Sequence, residues 1–145
     1  MTRKLTLFAC LFAGMALMQS CTKETDSQAT VSDQTLSRMA SDNSGFTYMP
    51  ASTMSTSKIK MNSIAAAARS TGNYPSNSMI VKEKYDAQGT LTGYDIMYRS
   101  SADHNSSGGW VWTSSDVHGN ITYGSENRGA SCQNCHSSQG FVSRY

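Results

Sequence analysis

The sequence is poor in charge and has almost no excess of either sign. Charged residues make up 15% of its 145 residues, with 12 Lys and Arg against 10 Asp and Glu. Removing a leader that contains Arg3 and Lys4 leaves ten residues of each sign. A protein that binds nucleic acid needs a dense basic face, so this balance argues against a nucleic-acid partner.

The sequence also lacks an apolar run long enough to cross a membrane as a helix. Its longest run, Leu5 to Met18, has 14 residues and follows the basic pair Arg3 and Lys4. A spanning helix needs about 20 apolar residues, whereas a shorter run after positive charge is typical of an export signal. We therefore predict that residues 1–20 form a signal peptide.

A cysteine stands where this apolar run ends. The pair Ser20-Cys21 resembles the end of a bacterial lipobox, in which the cysteine becomes the lipidated N-terminus. We expect Cys21 to carry the only membrane attachment, in the cell envelope of a bacterium, facing the periplasm or the cell surface. The alternative is an ordinary signal peptide cleaved nearby, which leaves Cys21 as a free thiol.

The chain after Cys21 divides into a polar stretch and a domain. Residues 22–45 are rich in Thr, Ser, Gln, Asp and Asn and show no helical or strand period. This composition predicts a flexible tether over residues 21–45 that lifts one folded domain, residues 46–145, away from the membrane.

The domain is predicted to be mainly β, an antiparallel sheet or meander with one or two short α-helices. Ser57 to Arg69 has apolar residues at roughly helical spacing and four alanines, which predicts a helix. Four later runs are rich in β-branched and aromatic residues and are separated by turn residues. These predicted strands are Met79 to Tyr85, Thr90 to Tyr98, Trp110 to Thr113 and Ile121 to Tyr123.

The most specific motif is Cys132-Gln133-Asn134-Cys135-His136, a Cys-x-x-Cys-His pattern. Two thiols three positions apart reach the two vinyl groups of one porphyrin, and the adjacent histidine then falls under the iron. We predict one covalent haem c per chain, attached through Cys132 and Cys135, with His136 as an axial ligand of the iron. Export agrees with this chemistry, because exported cysteine pairs become disulfides, haem attachments or metal sites.

Three other interpretations of the cysteine pair stay open. A redox dithiol is expected at a strand-to-helix junction inside a βαβ frame, and no such frame precedes Cys132. A plain disulfide leaves His136 unexplained. A zinc site needs a fourth ligand, which His104 or His118 would have to supply.

A haem motif near the C-terminus of a β meander resembles the cytochrome P-460 and cytochrome c-prime-beta family. The likeness extends over residues 57–145 and includes further segments in the same order. These segments are Tyr74-Pro75, Met79-Ile80-Val81-Lys82-Glu83, Tyr94-Asp95-Ile96-Met97-Tyr98-Arg99, Gly108-Gly109-Trp110-Val111-Trp112 and Phe141-Val142.

The resemblance implies a P-460-like haem c domain, often a homodimer, whose iron is held by His136 on one side and open on the other. An open position binds small nitrogen ligands such as hydroxylamine or nitric oxide. Together with the predicted export signal, the resemblance implies an exported cytochrome that binds and redox-converts such a ligand and exchanges electrons with a partner protein. The alternatives are nitric oxide binding without turnover, and an electron-transfer cytochrome in which Met61, Met79 or Met97 is the second axial ligand.

One branch of the family carries a lysine that is cross-linked to the porphyrin, and Lys82 is the candidate for that position. The alternative is an ordinary exposed strand lysine. Glu83 and Asp95 are candidates for a proton relay, or they are solvated carboxylates. The aromatic and sulfur side chains expected to line the haem pocket, or to be plain core, are Tyr94, Met97, Trp110, Trp112 and Phe141.

Overall fold

The computed structural model of the protein describes residues 30–50 and 56–136. The predicted signal peptide, the lipidation of Cys21 and the pocket role of Phe141 lie outside these residues. Within the two described ranges, no helix is both long enough and apolar enough to cross a membrane.

Six strands form one antiparallel sheet in which each strand pairs with the next along the chain, from β1 to β6. This meander confirms the predicted mainly β fold. Two of the four predicted strands, Met79–Tyr85 and Ile121–Tyr123, have the predicted bounds, and the other two are shifted by one residue or end three residues later. The strands are β1 Phe46–Tyr48, β2 Ser57–Asn62, β3 Met79–Tyr85, β4 Leu91–Arg99, β5 Trp110–Asp116 and β6 Ile121–Tyr123.

The sheet has two buried faces, because side chains alternate along each strand. The front face carries one apolar cluster, and both tryptophans of β5 lie in it, as the period-2 pattern predicts. The back face carries the other cluster and is covered by a helix. Front-face members are Ile59, Met61, Ile80, Met97, Trp110 and Trp112, and back-face members are Met79, Val81, Tyr94, Ile96, Tyr98 and Val111.

The covering helix, α1 Asp33–Ser41, lies within the predicted tether, so the tether prediction is wrong there. Ser32 caps the helix by accepting a hydrogen bond from the Thr35 amide. Its buried stripe contains only two apolar residues, Leu36 and Ala40, and also Ser37, whose hydroxyl donates to Ser115 Oγ at 2.8 Å. The spacing of the stripe is helical, but so few apolar residues in a polar stretch resemble a solvated tether in composition. The folded unit therefore includes residues before 46.

A leucine-to-alanine substitution in α1 tests whether this helix is part of the core. Leu36 is fully buried, and its truncation is expected to lower the free energy of unfolding by about 3 kcal/mol, because it removes apolar contact and leaves a cavity. Met39→Ala is the matched control on the same helix, since Met39 is 37% exposed and its loss costs about 0.5 kcal/mol or less. Urea unfolding measures both free energies. Equal small effects would show that α1 is not part of the core and would support the tether prediction.

The helix predicted over residues 57–69 is half correct. Ser57–Asn62 is strand β2, which pairs with β3, and only Ser63–Ala68 forms a helix, α2. The Asn62 side chain marks the junction, because its Oδ1 accepts the Ala65 amide at 2.9 Å. Pairing with β3 overrides the local helical spacing of Ile59 and Met61, which alternate onto the front face instead.

Candidate functional site

The Cys-x-x-Cys-His residues belong to an attachment segment, residues 129–136, which lies over the front face of the sheet. Two residues with left-handed backbone lead into the segment: Arg128 directly before it, at φ 50°, and its first residue Gly129, at φ 69°. The Gly129 carbonyl then accepts the amides of Cys132 and Gln133, both at 2.9 Å. A single helical turn, α3 Gln133–His136, completes the segment.

The side chain of Gln133 ties this segment to its surroundings. Its Nε2 donates to Ser107 Oγ at 2.6 Å and to the Arg128 carbonyl at 2.7 Å. Gln133 is one of the two variable positions of the motif, so its contacts could not be predicted from the motif. They fix the first turn of the attachment segment against the loop before β5.

A cavity of about 410 Å³ lies between the attachment segment and the front face. Cys132, Cys135 and His136 all border it, so the structure brings the three predicted haem-binding side chains to one space. Its volume lies within the range of small-molecule and cofactor sites. The sheet supplies a mostly apolar wall that includes Ile59, Met61, Ile80, Met97, Trp112 and Tyr123.

One part of the cavity wall is polar. Asp95 lines the cavity, and its Oδ1 lies 2.8 Å from Lys84 Nζ and accepts a hydrogen bond from Ser114 Oγ at 2.8 Å. Lys82 and Ser114 line the cavity as well. The wall thus presents the carboxylate of Asp95 and the amine of Lys82 on a largely apolar surface. Neighbouring strands hold the carboxylate in place through Ser114 and Lys84.

The thiol of Cys132 is in an environment that keeps it protonated. Burial raises the pKa of this thiol, and the nearby Asp95 and Cys135 raise it further. A redox dithiol needs a lowered thiol pKa, so this environment does not favour the dithiol interpretation. The two thiols are also unbonded to each other, and the disulfide interpretation gains no support.

The histidines considered for zinc lie elsewhere. His104 Nδ1 contacts Thr30 Oγ1 at 3.1 Å, and His118 occupies the turn between β5 and β6. In residues 30–50 and 56–136, no group of three or more His, Cys, Asp and Glu side chains is arranged to hold a metal ion. The structure therefore offers no support for zinc.

The other predicted site residues divide between the two faces. Lys82, Met97 and Trp112 line the cavity. Trp110 is on the front face but packs edge-on against Tyr74, with ring centroids 5.6 Å apart, and is not part of the cavity wall.

Two predicted residues lie on the back face, and the structure contradicts their proposed roles in the pocket. Tyr94 belongs to the back-face core cluster. Glu83 is buried there against Lys60, which excludes it as a relay to a ligand in the cavity. The reason is strand alternation: Glu83 points away from the side on which its neighbour Lys82 lies. Asp95, the other carboxylate considered, is the one that lines the cavity.

An antiparallel sheet whose apolar face shares one cavity with two thiols and an imidazole defines a class, the haem-binding β proteins. The sequence model of the Cytochrome P460 family matches residues 35–141, and the chain belongs to this family. Membership implies a haem cofactor, and the donor set and apolar wall of the cavity fit such a group. No curated protein and no solved structure matches the chain.

Proposed function

We propose that the chain is a mono-haem c cytochrome that binds and redox-converts a small nitrogen ligand, hydroxylamine or nitric oxide. The observation that carries this proposal is that Cys132, Cys135 and His136 border one cavity whose opposite wall holds Asp95 and Lys82. The two thiols would attach the haem covalently, and His136 would ligate its iron. In the described residues His136 is the only histidine on the cavity wall.

The protein is further proposed to act outside the cytoplasm. Export by residues 1–20 and lipidation of Cys21 anchor it in the bacterial cell envelope, facing the periplasm or the cell surface. A redox partner protein exchanges electrons with it, and two chains form a homodimer. The support for export and anchoring is the sequence around Cys21, and the support for the homodimer is the family resemblance.

The residues around the cavity have two further proposed roles, exclusion of water and acceptance of a proton. The bound haem iron supplies ligand binding and electron exchange. The apolar side chains of β2 to β5 limit the access of water to that space. Asp95 accepts a proton from the ligand, because its carboxylate is held at the cavity by Ser114 and Lys84.

One observation favours a second function, electron transfer. Met61 and Met97 both line the cavity, and a thioether is a common second axial ligand of haem c. Met79, the third methionine considered, lies in the back-face core and is excluded. An iron with two protein ligands carries electrons but leaves no position for a small ligand.

The absorption spectrum of the ferrous holoprotein, with and without carbon monoxide, separates these functions. The full chain is produced together with haem-attachment machinery. We expect carbon monoxide to change the spectrum, since in the proposed site His136 would be the only protein ligand of the iron. An unaltered spectrum that becomes responsive in Met61→Leu or Met97→Leu would establish electron transfer instead. A red-shifted Soret band that Lys82→Ala abolishes and Lys84→Ala keeps would assign the lysine cross-link.

The proton relay makes its own prediction about turnover. Asp95→Asn keeps a similar shape but removes the base, and we expect hydroxylamine oxidation to fall about 100-fold while carbon monoxide binding persists. Glu126→Gln is the control, because Glu126 is an exposed carboxylate outside the cavity wall. Steady-state assays with an artificial electron acceptor measure both variants. Unchanged turnover in Asp95→Asn would remove Asp95 from the mechanism.

A further inference from the structure

Both ends of the attachment segment contact the same tryptophan. The indole of Trp112 and the imidazole of His136 have ring centroids 5.2 Å apart, with their planes inclined at 54°. At the other end, a Cβ added to Gly129 would lie 2.5 Å from Trp112 Cδ1. Gly129 also has a positive φ, so only glycine lets the backbone come this close to the indole. Trp112 is thus close to both ends of the turn that carries the motif.

Trp112 lies in a buried, paired strand, whereas His136, which it contacts, ends a short helix. Trp112 is 2% exposed, in the middle of β5, where it is paired with Met97 of β4. His136 ends a helix of four residues, whose closing amide bonds to the Cys132 carbonyl are 3.3 Å long. One turn of helix is too short to be stable without packing, so its orientation depends on what it packs against.

We propose that Trp112 is a positioning residue that fixes the orientation of the His136 imidazole toward the haem iron. This inference rests on the proposed function, in which His136 is the axial ligand. Groups that contact a metal ligand set its orientation and so tune the metal. The side chain of Gln133 holds the backbone of the segment, whereas Trp112 contacts the imidazole ring itself.

The orientation of the imidazole is expected to change the reduction potential of the haem. A misaligned imidazole donates less to the iron, and the ferric state loses more than the ferrous state does. A tenfold loss of relative ferric stabilisation, at the lower end of such effects, raises the midpoint potential by about 59 mV. The bond between iron and imidazole weakens at the same time.

The test compares two tryptophans of one strand in the holoprotein. Trp112→Leu removes the contact with His136, and Trp110→Leu is the matched control. Trp110 is buried to 3% exposure on the same face but packs against Tyr74. We expect Trp112→Leu to raise the midpoint potential by about 59 mV and to shift the iron–imidazole stretching band in resonance Raman spectra. Trp110→Leu should leave both readouts at their wild-type values.

A milder substitution at the same position keeps the test valid if Trp112→Leu does not fold. Trp112→Phe keeps an aromatic ring in the same place, and we expect a shift of the same sign that is smaller than that of Trp112→Leu. Unchanged readouts in Trp112→Phe and Trp112→Leu, or equal shifts in Trp110→Leu, would overturn the positioning role. A wild-type protein without attached haem would instead contradict the proposed function, so the two failures are distinguishable.

Discussion

Replacing both Cys132 and Cys135 by alanine is expected to abolish covalent haem completely. The two thioether bonds are the proposed covalent link, and both thiols border the cavity. Mass spectrometry of the denatured protein should show one haem per chain in the wild type and none in the double variant. Either single variant should keep one thioether and hold less haem.

Cys21→Ser is the control for this experiment. We propose that Cys21 carries lipid and takes no part in haem attachment, so this variant should lose the acyl chains and keep the haem. Retention of haem by the Cys132→Ala/Cys135→Ala protein after denaturation would place the attachment elsewhere in the chain. Loss of haem from Cys21→Ser would contradict the separate roles assigned to the cysteines.

His136→Gly separates attachment from ligation in the same system. The thioethers still form, but the iron loses its imidazole and the space of that side chain becomes free. We expect attached haem with an altered spectrum, and recovery of the wild-type spectrum when imidazole is added. Recovery would identify the missing ring as the cause, which a general loss of structure would not allow.

The parts of this fold that the sequence predicts are those with strong local patterns. Strands β3 to β6 alternate visibly, and the Cys-x-x-Cys-His motif carries its chemistry in five adjacent residues. Helix α1 has a helical spacing, but it lies in a polar stretch and buries only two apolar residues, Leu36 and Ala40, so its composition is that of a tether. Its place in the core depends on contacts with the back face of the sheet, which is formed by later strands. The composition of residues 22–45 alone cannot predict those contacts.

The cavity wall also combines a feature that the local sequence predicts with one that depends on distant contacts. Lys82 and Glu83 are adjacent, and alternation predicts that they point to opposite faces, but it does not predict which face holds the cavity. The structure settles the matter through a distant residue. Lys60 on β2 pairs with Glu83 on the back face, and this pairing joins positions 23 residues apart.

Removal of one partner from the Lys60–Glu83 pair is expected to be among the most destabilising single changes in the chain. Lys60 Nζ lies 2.9 Å from Glu83 Oε1, and the side chains are 0% and 3% exposed. Three aromatic rings surround the ammonium, with centroids 5.3 to 5.9 Å away: those of Phe46, Tyr48 and Tyr94. Lys60→Met leaves the carboxylate buried without its countercharge, which costs about 3–5 kcal/mol.

An exposed ion pair between strands β3 and β4 supplies the control. Lys84 and Asp95 are joined at 2.8 Å but are 37% and 39% exposed, so Lys84→Met should cost about 1 kcal/mol or less. The double variant Lys60→Met/Glu83→Gln should recover part of the loss, because no unpaired charge remains buried. Urea unfolding of the four proteins measures these differences. Equal costs for Lys60→Met and Lys84→Met would show that burial does not set the effect.

The same cluster predicts how stability depends on pH. Burial by itself raises the pKa of Glu83, but hydrogen bonds from Tyr85, Lys60 and Tyr48 outweigh it and hold the pKa below its ordinary value. A lowered carboxyl pKa stabilises the fold above the unfolded value, about 4.3, and this contribution is lost as pH falls through the folded pKa.

The alkaline limit follows from the two tyrosines that donate hydrogen bonds to that carboxylate, Tyr48 and Tyr85, with the opposite sign. Burial, together with the hydrogen bond to Glu83, raises the pKa of Tyr48 to about 12. Its contribution is complete below the unfolded value, about 10, and is lost as pH rises from there through 12. Tyr48→Phe should therefore remove part of the alkaline limb of the urea midpoint, because the pKa of Tyr85 stays raised, and leave much of the acid limb, whereas Glu83→Gln should weaken both limbs. An unchanged alkaline limb in Tyr48→Phe would mean that other groups set it, because the hydrogen bond between Tyr48 and Glu83 would then contribute nothing above pH about 10.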